Sequence, residues 1–143
     1  MTPTAPTTVR WFALPLLLLG ASGFAAFWVL LALALGRQCA WLAPLAALDL
    51  ALLQGLARWP RGAVRALTAV LGTALTVALA NYMIAAGQIG MGFGLRPGES
   101  ALLMGANYAW LLVTLANTRV DLLWYVAGLG LACWSGLRRR RGP

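Results

Sequence analysis

The chain has no histidine and no lysine, and its only acids are Asp49, Glu99 and Asp121. Without an imidazole it lacks the usual general base near neutral pH and the commonest protein ligand for zinc and haem. Without lysine it can form no Schiff base and offers no P-loop ammonium. Its two cysteines, Cys39 and Cys133, lie far apart and make no CxxC redox or metal motif. Few catalytic constellations can be assembled from what is left. The sequence therefore reads as a non-catalytic protein with no metal site and no cofactor.

Charge is scarce as well. Only 10% of the 143 residues are charged, against 62% hydrophobic, and mean hydropathy is +0.81. A soluble domain carries about 25% charged residues. The cations are all arginine and leave a net charge of +8. They sit at the margins of apolar runs, which points to membrane lipid headgroups rather than nucleic acid as their counter-charge. These features predict an integral membrane protein. Heavy use of Ala, Leu, Gly and Arg suggests a bacterial protein of the inner membrane.

A crossing helix needs about 20 largely apolar residues. The candidate helices are 11–35, 39–57, 66–86, 100–116 and 120–137, followed by a basic tail, 138–143. The first opens like a signal peptide, with a small-x-small pattern at Ala32-Leu33-Ala34. Its apolar run exceeds the roughly 7–15 residues of a signal core, which predicts a retained helix. No alternating strands suggest a β-barrel. The expected fold is an all-α integral membrane protein, a compact bundle of four to five transmembrane helices forming one membrane domain over 1–143.

Arginine placement bears on the number of crossings. Arg58, Arg61 and Arg65 in the second connector and Arg138, Arg139, Arg140 and Arg141 in the tail should share the cytoplasmic side. Three candidate helices between them would instead separate them. Four crossings plus one re-entrant or interfacial element resolve the conflict, and five crossings are the alternative. The same seven arginines are candidate contacts for lipid headgroups or a partner.

Gly87, Gly90, Gly92 and Gly94, followed by Arg96-Pro97-Gly98, read as a membrane-edge loop that reverses the chain. A phosphate loop would need a preceding strand and, usually, a lysine. Glu99 is placed to start a helix, where the dipole favours an acid. Thr118-Arg119-Val120-Asp121 has the form of a capping box.

Six polar residues stand inside or beside apolar runs: Asp49, Gln54, Asn81, Tyr82, Asn107 and Tyr108. Asp49 falls near mid-bilayer if its segment spans, where a charged Asp costs about 2.5–3.5 kcal/mol. The tripeptide Ala-Asn-Tyr occurs twice, with Asn81 nine positions before Gly90 and Asn107 nine after Gly98. A hairpin turn between those glycines would bring both amides to one depth, where each could satisfy the other. Of the tryptophans, Trp11, Trp41, Trp59 and Trp134 fit an interfacial belt.

Two functions follow from this reading. The first is a small structural or accessory subunit packing against a larger integral membrane protein. The second is a small transporter or lipid-handling protein, a homo-oligomer, whose site combines Asp49 with the two asparagines and tyrosines.

Overall fold

The computed structural model describes residues 11–138, and every regular element among them is helical. A single 3-10 turn, Trp11–Ala13, leads into α1, Leu14–Leu35, with Pro15 in the first turn, where a missing N–H costs least. The helix stops at Gly36, whose φ of 62° only glycine adopts freely and whose N–H returns to the Ala32 and Leu33 carbonyls. After a short turn come α2, Leu42–Leu56, and α3, Ala63–Phe93. Two short helices follow, α4, Pro97–Leu103, and α5, Ala106–Ala116; α6, Arg119–Leu137, completes the fold.

Four of these helices form the bundle. Thr76 on α3 bonds the Ala21 carbonyl, and Gly87 on α3 abuts Leu33, so α1 and α3 run in the same direction. Leu50 abuts Gly72, whereas Gln54 meets Arg65 and Thr68, so α2 runs against them. On α6, Gly128 lies against Ala43, Ala132 packs with Ala47 and Ala69, and Gly136 lies against Ala66. That order makes α6 parallel to α2 and antiparallel to α3. Glycine and alanine at these crossings let the backbones approach closely, and the seams of α6 are built almost wholly from them.

One consequence is that the charged ends sort. The Gly62 N–H bonds the Gly136 carbonyl at 3.3 Å, tying the α2–α3 connector to the end of α6. Arg58, Arg61, Arg65 and Arg138 therefore share one end of the bundle, while Arg37 and Arg96 in connections and Arg119 at the start of α6 lie at the other. Arg139, Arg140 and Arg141 of the tail lie outside the described residues.

The helix boundaries depart from the sequence expectation in two places. The glycine run is not a loop: α3 continues through Gly87, Gly90 and Gly92 and reverses only at Gly94, where φ is 70°. A lone helical glycine costs only about 1 kcal/mol, and here the lost Cβ makes room. A Cβ on Gly90 would lie 2.9 Å from the Leu95 carbonyl oxygen, so the returning chain packs directly on the helix. The second departure is the expected helix 100–116, which breaks at Met104 and Gly105, both in extended conformation. Tyr82 donates to the Ala101 carbonyl at 2.6 Å and reaches that of Met104, while Asn117, past the other end of α5, bonds Asn81. Both ends of α5 thus lie near one level of α3, and α5 runs across the bundle instead of along it.

Three helices are long and apolar enough to cross a membrane: Trp11–Leu35, Ala63–Phe93 and Arg119–Leu137. The shorter α2 and α5 fall below that length. Trp59, expected at the interface, is buried with Leu17, Ala21 and Leu50, while Trp11, Trp41 and Trp134 are exposed.

Candidate functional site

Asn81 lies well inside α3 with its side chain buried, and four side chains meet there. Gln38 comes from the α1–α2 turn, Asn117 from the C-cap of α5, and Tyr125 from the second turn of α6. The Gln38 backbone is itself held by Trp28, whose indole donates to the Gln38 carbonyl at 2.9 Å.

Hydrogen-bond bookkeeping fixes the orientation of the cluster. Asn81 Nδ2 donates to the Val77 carbonyl at 2.9 Å and Asn117 Nδ2 to the Val113 carbonyl at 2.7 Å. A carbonyl can only accept, so neither amide can be flipped. Asn81 Oδ1 then accepts from Gln38 Nε2 and, at 2.8 Å, from Asn117 Nδ2. The Tyr125 hydroxyl stands 2.6 Å from Asn117 Oδ1 and must donate to it, which leaves its oxygen accepting from Asn81 Nδ2 at 3.2 Å and from the Gln38 side chain. Both N–H groups of both amides are consumed. The cluster pins α3, α6 and two connections at one point, and a fully satisfied polar network of this kind specifies a unique packing.

Beside the cluster lies a half-open cavity of about 680 Å³ between α3, α5 and α6. Its walls are Ala74, Val77 and Ala78 of α3, Ala106, Ala109, Trp110 and Val113 of α5, and Leu122 and Leu129 of α6. Asn81, Asn117 and Tyr125 form its polar end. The cavity exists because α5 crosses the bundle obliquely and cannot fill the groove between α3 and α6. A second cavity, about 500 Å³, lies on the other side of Gln38 and includes Arg37, Thr118, Asp121 and Trp124.

The residues expected to form a site are dispersed by the fold. Asn81 is in the cluster, but its partner is Asn117 and not Asn107. Asn107 begins α5 and is exposed, as is Tyr108. Tyr82 ties α3 to the end of α4. Asp49 sits against α1, its carboxylate beside Gly20, apart from the asparagines. Gln54 is buried and bonds the Arg65 carbonyl at 3.0 Å and Thr68 Oγ1 at 2.9 Å. Arg65, expected to face headgroups, is also buried. Its guanidinium donates to Gln54 Oε1 and to the Trp59 and Ala51 carbonyls, closing the C-terminal end of α2 where the helix dipole favours a cation. Arg58 and Arg61 are exposed, and Arg138 is exposed with its guanidinium 4.6 Å from the Trp134 ring centre.

Two acids have the expected capping roles. Thr118 and Asp121 form the reciprocal box, with Thr118 N donating to Asp121 Oδ2 at 2.8 Å and Asp121 N to Thr118 Oγ1 at 3.3 Å. Glu99 accepts from the Arg96 N–H at 3.1 Å at the start of α4. Gln38, Asn117 and Tyr125 went unread in the sequence. A signal was available for Asn117: Ala-Asn recurs a third time at Ala116-Asn117, immediately before the capping box.

No family model matches the chain, and neither the curated proteins nor the solved structures give a match.

Proposed function

We propose that the chain is an integral membrane protein of four crossings, α1, α2, α3 and α6, that holds a lipid-class hydrophobic ligand beside α5 without acting on it chemically. The observation that carries this reading is the cavity of about 680 Å³, apolar on its walls and polar at one end. Its size falls in the range of small-molecule sites, about 300–1,000 Å³, which combine mostly apolar walls with a few placed polar groups.

Four crossings agree with the sorting of charge. In this reading the end bearing Arg58, Arg61 and Arg138 faces the cytoplasm of a bacterial inner membrane, an orientation that the excess of arginine there supports. The sequence adds Arg10 just before Trp11 and Arg139–Arg141 just after Arg138. The helix α2 is itself short, but hydrogen-bonded turns extend its segment from Cys39 to Trp59 and bring it to crossing length. By contrast α5, with 11 residues, is too short to span, and with α4 it forms a re-entrant element. In a Cys39→Ala/Cys133→Ala background, cysteines at Arg61 and Leu137 should resist a membrane-impermeant maleimide in intact cells, whereas one at Gly98 should react. Arg61 and Leu137 reporting from opposite sides would refute four crossings.

A second reading, an accessory subunit docked on a larger membrane protein or on its own copies, is favoured by the outer face of α5. Asn107 and Tyr108 are exposed there, and polar side chains at membrane depth seek protein partners. Purification in native lipid separates the two. Ligand binding predicts a co-isolated lipid that is depleted several-fold by Ala78→Trp, which projects an indole into the cavity from α3. A stoichiometric membrane protein with no such lipid would favour the subunit.

A further inference from the structure

We infer that the polar end of the α3–α5–α6 cavity selects a ligand that donates a hydrogen bond, a long-chain alcohol or other neutral lipid bearing a free hydroxyl. This rests on the lipid-binding reading above and concerns which chemical class that site takes.

The inference comes from the unspent capacity of the cluster. Both amides have given both N–H groups to protein acceptors, and the Tyr125 hydroxyl proton goes to Asn117. The hydroxyls of Thr114 and Tyr82, which also line the cavity, donate to the Leu111 and Ala101 carbonyls. What remains at the polar end is acceptor capacity on Asn117 Oδ1, which has a second lone pair, whereas the Tyr125 oxygen is already taken by Asn81 Nδ2 and by the Gln38 side chain. The indole of Trp110 is a further donor lining the cavity, but that side chain is 72% exposed and belongs to the rim.

A ligand carbonyl, phosphate or carboxylate brought to this end would meet lone pairs only. A cation would find acceptors but no counter-charge. Asp49 lies against Gly20 on the opposite side of the bundle, Glu99 caps α4, and Asp121 lines the other cavity. Burying an unpaired ammonium in such a site is costly. A neutral hydroxyl satisfies both conditions, because it brings one proton and no charge. Its chain would then run along the apolar walls from Tyr125 towards Leu129 and from Asn81 towards Ala74.

The test uses the wild-type protein in detergent and measures binding of cetyl alcohol, cetyl methyl ether and palmitic acid, with geranylgeraniol as an isoprenoid counterpart of the first. The ether keeps the chain and an acceptor oxygen but has no proton to give. One of the two alcohols should bind about tenfold more tightly than the ether, the worth of one hydrogen bond together with its unpaired acceptor, and Ala78→Trp should abolish that binding. Which alcohol binds more tightly identifies a straight-chain or an isoprenoid source. Equal binding of alcohol and ether, or tighter binding of palmitic acid, would overturn the hydroxyl preference while leaving a lipid site in place. No binding of any probe, with no co-isolated lipid sensitive to Ala78→Trp, would overturn the inference together with the lipid-binding reading.

Discussion

Asn81→Leu should lower the unfolding free energy in detergent by about 2–4 kcal/mol, whereas Asn107→Leu should change it by less than about 0.5 kcal/mol. The magnitude follows from what the substitution leaves behind. Asn81 Oδ1 accepts from both Gln38 and Asn117, and Asn81 Nδ2 donates to Tyr125. Removing the amide strands three buried or half-buried partners at once, and an unpaired buried group costs more than a hydrogen bond gains. Leucine keeps the branched outline of asparagine but is bulkier, so crowding at this buried position adds to the loss of the hydrogen bonds. Asn107 by contrast is exposed in the first turn of α5. Equilibrium unfolding with increasing SDS mole fraction, followed by tryptophan fluorescence, measures both. Equal losses from the two variants would mean that the amides pair with each other and that the cluster around Asn81 is wrong.

That contrast also marks where the sequence stops being legible. The apolar runs were enough to place α1 and α6 to within a few residues. The two acid-capped helix starts were readable because their partners lie three residues away. Asn81 was readable as an amide needing a partner, because an apolar helix offers it none. The identity of the partner was not readable. Counting outward from a glycine turn assumes two unbroken helices, and both assumptions failed: α3 runs on through its glycines, and the next segment breaks at Met104–Gly105. Glycine looks the same in sequence whether it supplies a turn or a groove for a neighbouring chain. Gly94 does the first and Gly90 the second. Asp49 is the reverse case. Its depth could be counted from the flanking arginines, but its direction, towards α1 and away from the asparagines, depends on a packing that no local pattern encodes.

The same distinction among glycines makes α6 the most vulnerable element. A Cβ on Gly128 would stand 2.8 Å from the Ala43 carbonyl carbon, and one on Gly136 would stand 2.3 Å from the Ala66 Cα. The obstructing atoms are backbone or sit directly on it, so no rotamer change relieves either clash, and α6 must move off α2 and α3. Gly128→Ala and Gly136→Ala should each destabilise by about 1–3 kcal/mol, the usual cost of overpacking. Gly130→Ala, with nothing within 4 Å of the added carbon, should stabilise by up to about 1 kcal/mol through helix propensity. The opposite signs within one helix exclude a propensity explanation for the losses. Gly128 is one turn from Tyr125, so displacing it should also draw the tyrosine away from Asn81 and Asn117. The penalty of Asn81→Leu should then shrink in a Gly128→Ala background, by about 0.5 kcal/mol or more, as expected for residues that share a contact. It should stay unchanged beside Gly130→Ala. Strict additivity with Gly128→Ala would show that the close seam and the polar cluster are independent, and that α6 can shift without opening the end of the cavity where the hydrogen bonds converge.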